Sequence, residues 1–275
     1  MKIWGVSMVR NEEDIVEAFV RHNLTILDGM LVVDHNSTDR TPAILTALCA
    51  ERLPLVVKRH GAPGYLQAEI TTSAAREVFA RTPADFVFPL DADEFLKVGS
   101  RAELERYLGS LPPDVHPRFD WPTYAPPFDG ISRHVVACAR AARRLTGRAG
   151  GMGKIAVARS FAAIPGAYIG QGNHEAYVGN KPQTAGRLPM VGAPGAFCVA
   201  HLPARSVVQH TKKFGVRRLA RIAGGRDYPT DSNFYQAYAG LRAGREPTPD
   251  DMLRPYVNGF FVLVDEPPPT SSPTV

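Results

Sequence analysis

The segment Phe86–Phe95, FVFPLDADEF, restricts the fold more than any other stretch of this chain. A short apolar run rich in Phe and Val reads as a buried strand, and it stops at three carboxylates, Asp91, Asp93 and Glu94. Carboxylates beside a buried strand are costly unless they meet water, a cation or an opposite charge. Asp91 and Asp93, two apart, project to one side if the backbone stays extended. Two hard oxygen donors then sit at the carboxyl end of a strand, where open α/β sheets place their ligands. A plainer reading stands beside this one: a polar strand end with a solvated turn.

The chain before this segment alternates strand and helix signals. Lys2–Val9 reads as a strand, and the acids of Asn11-Glu12-Glu13-Asp14 open a helix carrying Ile15, Phe19 and Leu24. Met30–Asp34 is a second strand. Asn36-Ser37-Thr38-Asp39 then caps a helix with Pro42 in its first turn, running to about Glu51. Leu55–Lys58 is a third strand, and Tyr65–Arg81 a helix leading into the Phe86 strand. Such alternation predicts right-handed crossovers and a mostly parallel sheet. Beyond Asp93 the regularity fades. Arg101–Leu108 reads as a helix, Pro112–Phe128 as a loop-dominated connection offering Trp121, Tyr124 and Phe128, and Ser206–Ala223 as an amphipathic helix. The Pro- and Ser-rich end is expected to be a disordered tail. The expected organisation is residues 1–98 and 99–226 as two halves of one domain, 227–265 as a helical extension, and 266–275 as the tail.

Charge divides the chain unevenly. Residues 1–129 hold 13 Lys/Arg against 19 Asp/Glu, residues 130–226 hold 16 against the single acid Glu175, and residues 227–275 hold 3 against 7. The basic middle points to an anionic partner: a diphosphate, a nucleic acid, an acidic membrane surface or an acidic substrate. Cys49, Cys138 and Cys198 lie far apart, so neither a disulfide framework nor a zinc cluster is suggested. No apolar run approaches the roughly 18 residues of a membrane span, and Met1–Arg10 lacks the layout of a signal peptide. A cytoplasmic location follows as an expectation, with peripheral contact at the inner membrane face.

Two Gly-rich signals fail. Gly153-Lys154 lacks the rest of a phosphate-binding loop, with Arg148 where Gly is needed and Ile155 where Ser or Thr would hold magnesium; no GxGxxG follows the first strand. The stronger signal is three strand ends in order: Ser7–Glu12, Val33–Asp39 and Leu90–Asp93. With NEED (Asn11–Asp14), VDHNSTDRT (Val33–Thr41), the helix containing Gln67, LDADEF (Leu90–Phe95), GNH (Gly172–His174) and HLPARS (His201–Ser206), the chain resembles the GT-A glycosyltransferases, family 2-like, over about Lys2–Ala223.

That resemblance implies an α/β nucleotide-diphospho-sugar transferase fold: a mostly parallel, Rossmann-like sheet flanked by helices, with a basic acceptor-side C-terminal half. It implies a nucleotide-diphosphate sugar as donor, a UDP-sugar first among them, and a glycan or lipid-linked acceptor. Val9, Asn11 and Asp34 would contact base and ribose, and Gln67, Lys154 and Arg205 would complete the donor contacts. Mn2+ or Mg2+ would be held directly by Asp93, with Asp91 reaching ribose or metal-bound water and His201 or His174 completing the set. The family often has two adjacent acids where this chain has Asp34-His35.

An acceptor hydroxyl needs a general base. Glu175 is the first choice, with Asp129 and Asp120 as fallbacks. Each assignment has a structural counterpart: Asp34 and Asn36 as turn and cap residues, the histidines as satisfied polar side chains, and Glu175 as partner to an arginine. Two other functions remain open. One is a phosphatase or phosphotransferase with Asp91 as nucleophile. The other is a nucleic-acid-binding protein using residues 130–226, although no recognised nucleic-acid module is present and none is expected as a partner.

Overall fold

The computed structural model describes residues 1–125, 143–146, 153–179, 186–223, 225, 233–245, 252 and 262–264. In chain order its first elements are β1 (Ile3–Val9), α1 (Val16–Leu24), β2 (Gly29–Asp34), α2 (Thr41–Ala50), β3 (Leu55–Arg59), α3 (Gln67–Arg81), β4 (Phe86–Pro89), β5 (Glu94–Lys97) and α4 (Arg101–Gly109). Then follow β6 (His116–Asp120), β7 (Tyr124–Ala125), β8 (Arg143–Thr146), β9 (Gly153–Ile155), β10 (Val157–Ala158), α5 (Ser160–Ala163), β11 (Ala167–Ile169) and β12 (Ala176–Val178). The last are β13 (Gly186–Arg187), β14 (Met190–Gly192), β15 (Cys198–His201), α6 (Val207–Ala223), α7 (Asn233–Arg242) and β16 (Val262–Val264).

The chain forms two compact units. The first comprises Met1–Gly61, Leu66–Trp121 and Met152–Ala200; the second comprises Ala62–Tyr65, Pro122–Gly151 and His201–Val275. In the first unit the main sheet has the order β10-β4-β1-β2-β3. Its β4, β1, β2 and β3 run parallel, as the strand–helix alternation predicts, and β10 closes the edge antiparallel to β4. The apolar content of these strands explains the arrangement. Every residue of β2 and β4 is buried, as expected for strands covered on both faces. Helix α3 turns Ile70, Ala74, Ala75, Val78 and Phe79 into a core shared with Val6, Leu31, Val33 and Val87, the spacing of one helical face. Helix α1 buries Val16, Phe19 and Val20.

Two parts of the sequence reading change. The chain does not become irregular after Asp93, because Glu94–Lys97 forms β5. Likewise the Pro-rich connection contains β6, which lies between β14 and β15 and also pairs with β9. Both strands are short, and their partners come from residues 153–155 and 190–201. Pairing over that separation leaves no periodicity to read in a local window. A small antiparallel sheet, β11-β12-β13, completes this unit, and Gln171–Asn173 forms a single 3-10 turn between β11 and β12.

The second unit holds the antiparallel sheet β16-β8-β7 and the helices α6 and α7, with Arg218 of α6 stacked on Tyr235 and Tyr238 of α7. Helix α6 matches the amphipathic stretch expected at Ser206–Ala223, and α7 lies inside the expected 227–265 extension. Most of the basic stretch Arg133–Arg148, together with Asp129 and the 266–275 tail, lies outside the described residues. No helix among the described residues is long and apolar enough to cross a membrane.

Candidate active site

Because β1, β2 and β4 are parallel, their carboxyl ends share one edge of the sheet. The register pairs Val9 with Asp34 and Val6 with Pro89, so the loops after β1, β2 and β4 emerge together. Strand β1 lies between β2, which continues toward β3, and β4, which continues the other way. The order therefore reverses at β1, and the crevice at such a switch point is the usual ligand position of an open α/β sheet.

The first two loops are laced to each other. Asn11 Oδ1 accepts from the Thr38 N–H at 2.8 Å, and the Asn11 N–H donates to Ser37 Oγ at 2.9 Å. The Glu12 N–H donates to Thr41 Oγ1 at 2.8 Å, and Asp34 Oδ1 accepts from the Ser37 N–H at 3.3 Å. Asn11 and Asn36 both sit at positive φ, 56° and 58°, a conformation Asn tolerates better than most residues. Asp34 thus does the turn work of its structural reading, and Asn11 ties the two loops together, at the edge where the resemblance expects base and ribose. Val9 is buried, and its carbonyl accepts from the His35 N–H.

The carboxylates at the end of β4 are partnered within the same unit. Asp91 Oδ1 accepts from Gln67 Nε2 at 2.6 Å and Asn173 Nδ2 at 3.1 Å, while Oδ2 accepts from Lys154 Nζ at 2.9 Å. Lys154 also lies 2.7 Å from Glu94 Oε1 and donates to the Gly172 carbonyl at 2.5 Å. The Gly172 N–H returns a bond to Gln67 Oε1 at 3.0 Å, and the Asp91 N–H donates to Glu94 Oε2 at 3.0 Å. Three of the residues singled out in the sequence, Gln67, Asp91 and Lys154, therefore belong to one network. Asp93 is buried beside them.

Burial pushes the Glu94 carboxyl well above the usual carboxylate range, more than Lys154 pulls it down, and Asp91 and Asp93 push the same way. For Lys154 burial works against the charged form, but Asp91 and Glu94 outweigh it and hold the ammonium protonated. In the sequence Glu94 and Asn173 stand out only as members of LDADEF and GNH, with no role attached to either. The accumulation of acids after β4 was the available signal that a basic side chain had to come from elsewhere.

The 3-10 turn carrying Gln171–Asn173 presents the next two candidates. Gly172 has φ +80°, and a Cβ there would lie 2.8 Å from His174 Cδ2. Only glycine lets the turn close against that ring. His174 Nδ1 meets the Gly153 carbonyl at 2.7 Å, and its ring packs edge-on to Trp121 at 4.8 Å. Glu175 is held by two arginines: Arg118 Nη2 lies 2.6 Å from Oε1 and Arg187 Nε 2.7 Å from Oε2. Its pairing with arginine, one of the two roles open in the sequence, is thus present. To accept a proton as a base, Glu175 must loosen one of these charge-assisted bonds. The fallback Asp120 ends β6 on the exposed side.

In the second unit, His201 is buried, with Nδ1 3.3 Å from the Thr123 hydroxyl and its N–H donating to the Pro122 carbonyl. Arg205 is also buried. Its Nη1 donates to the Leu202 carbonyl and its backbone N–H to Gln209 Oε1, both at 3.4 Å.

No family model matches the chain, and no curated protein matches it. Among solved structures, Staphylococcus aureus TarS 1-349 in complex with UDP-GlcNAc aligns with TM-score 0.45 and 12% identity, covering 89% of this chain and 73% of that one. The same TarS fragment in complex with UDP gives TM-score 0.43 and 11% identity over 89% and 72%. The mannosyltransferase PcManGT from Pyrobaculum calidifontis, in complex with GDP-Man and Mn2+, gives TM-score 0.42 and 16% identity over 91% and 67%. Likeness at this level carries no argument about chemistry, and the functional reading rests on the chain's own residues.

Proposed function

We propose that this chain is a metal-dependent glycosyltransferase of GT-A type, moving a hexose from a nucleotide-diphosphate sugar to a hydroxyl of a glycan or lipid-linked acceptor, with inversion. One observation carries the reading: a buried carboxylate cluster follows β4, on the edge where β1 and β2 also end, at the point where the strand order reverses. Asn11 and Asp34 are assigned to base and ribose, and a UDP-sugar is the first donor to test.

The donor set suits Mn2+ or Mg2+, since carboxylate oxygens favour hard divalent ions and an imidazole adds affinity for Mn2+. Asp91 has both oxygens engaged by Gln67, Asn173 and Lys154, which favours Asp93 as the direct ligand and leaves Asp91 to ribose or metal-bound water. His201 and His174 are the candidate imidazoles. Thr123 beside His201 Nδ1 fixes the ring in the manner of an outer hydrogen-bond partner, which makes His201 the first choice. Such an ion supplies positive charge against the diphosphate as the bond to the sugar breaks. Arg205 is assigned to the same diphosphate. Glu175 is the proposed base for the acceptor hydroxyl, released from Arg118 or Arg187 when the acceptor binds. The basic middle of the chain is assigned to the acceptor side, with electrostatic contact to an anionic membrane face from the cytoplasm.

The test is a thermal-shift screen of UDP-, GDP- and dTDP-sugars with and without Mn2+. A ligand at about 100 times its Kd adds about 2.7 kcal/mol, a rise of roughly 5–10 °C for a chain of this size. Asp93→Asn should lose the Mn2+-dependent part of that rise, and Glu175→Gln should bind donor without transferring sugar. If no sugar nucleotide raises the melting temperature under either condition, the donor reading is wrong.

A further inference from the structure

We infer that Lys154 is a resident counter-cation that holds the Asp91–Glu94 cluster together without metal, and that its charge sets how tightly the cluster takes a divalent ion. The metal half of this inference rests on the function proposed above. The lysine side chain is 1% exposed. It reaches inward from β9, where Lys154 pairs with Phe119 of β6. A Cβ on the preceding Gly153 would fall 2.5 Å from the Phe119 carbonyl oxygen, so β9 lies hard against β6 and the root of the lysine is fixed.

At its tip the ammonium has three N–H donors and three acceptors at 2.5–2.9 Å: Asp91 Oδ2, Glu94 Oε1 and the Gly172 carbonyl. The face of Trp121 covers it, with Nζ 4.8 Å from the ring centroid. A buried ammonium persists only when paired and hydrogen-bonded in this way. The cluster it serves gathers the carboxyl groups of Asp91, Asp93 and Glu94, oxygen donors of the kind that suit a divalent cation. The lysine also repels that cation at short range. Neutralising Lys154 therefore has two opposite effects: the metal-free protein loses stability, and affinity for a divalent ion rises. A residue that mattered only for packing would produce the first effect without the second.

The experiment compares wild type, Lys154→Met and Lys154→Arg with Mn2+ alone, measuring free Mn2+ by electron paramagnetic resonance and melting temperature in EDTA and in Mn2+. Lys154→Met should melt lower than wild type in EDTA, regain part of the loss in Mn2+, and bind Mn2+ at least about tenfold more tightly. Lys154→Arg keeps the charge and should match wild type in Mn2+ affinity. Should Lys154→Met fail to fold, Lys154→Gln, which retains donors for Asp91, takes its place with the same expected direction. Equal or weaker Mn2+ binding by the neutral variant overturns the inference. If Asp93→Asn abolishes Mn2+ binding while the Lys154 variants bind alike, the metal reading stands and only the role of Lys154 falls. If Mn2+ binds neither wild type nor the neutral variant, both fall.

Discussion

Acid should destabilise this protein through His116 over a defined pH window. His116 opens β6 and is fully buried. Its Nδ1 accepts from the Ala158 N–H at 3.1 Å, so the neutral ring carries its proton on Nε2, which has no hydrogen-bond partner among the described residues. Protonation would put a second donor on Nδ1, facing the Ala158 N–H, in a site closed off from the protein surface. Burial lowers the pKa from 6.5 to about 4, with Asp114 opposing the shift. In the unfolded chain the same ring titrates near 6.5. Between these two values the unfolded state binds more protons, so stability rises with pH there and is lost as pH falls from 6.5 to 4; above 6.5 the group contributes no slope. At about 1.36 kcal/mol per unit, the full loss is about 3 kcal/mol, or roughly 6–12 °C in melting temperature for a chain of this size. The assay is urea unfolding of wild type and His116→Asn from pH 7.5 to pH 4. Asn is expected to keep an acceptor near Nδ1 without titrating, and taking the difference between the two proteins removes His22, whose buried ring is also shifted down. The stability difference should swing by about 3 kcal/mol across the window. A difference constant to within about 0.5 kcal/mol, the range of an inert substitution, refutes the argument.

Two other substitutions test the framework around the cluster. Asn23 of α1 is buried and clips β5 in place: its Oδ1 accepts from the Leu96 N–H at 2.9 Å, and its Nδ2 donates to the Glu94 and Phe19 carbonyls at 3.0 Å. Asn23→Ala orphans a buried donor and acceptor on the strand that begins with Glu94, and should cost about 2–5 kcal/mol in urea unfolding; a cost below about 1 kcal/mol would mean water replaces the amide. Gly172→Ala should cost about 1–2 kcal/mol from its positive φ and displace the His174 ring, seen as a changed His174 proton shift with the rest of the spectrum preserved.

Legibility in the sequence followed the locality of the signal. Strands β1 to β4 and helices α1 to α4 were readable because each carries its own period and its own punctuation, such as Pro42 at the start of α2 and the polar residues from Asn36 to Asp39 before it. Strands β5 and β6 were not, since β6 exists only through partners more than thirty positions further along. The same distinction divides the site. Asp91, Asp93, Asn11 and Asp34 interrupt apolar strands and so announce themselves. Lys154 contacts Asp91 across 63 positions from inside a Gly-rich, basic stretch, where nothing local separates a buried counter-ion from a solvated lysine.

The uneven charge of the chain acquires a different meaning from these contacts. Read from sequence, an excess of bases in residues 130–226 calls for an external anion. Yet part of that excess is consumed within the first unit. Lys154 pairs with Asp91 and Glu94, both from the acidic first part of the chain. Arg187 pairs with Glu175, and Arg159 donates to the Phe79 and Thr82 carbonyls at the end of α3, where a cation suits the helix dipole. Bases engaged in this way are poor candidates for an external phosphate, because binding it would leave a buried carboxylate or carbonyl without its partner. Any anionic partner must then be met by the remaining arginines and lysines. Arg205, buried in the second unit, is the one that the proposed donor reading uses.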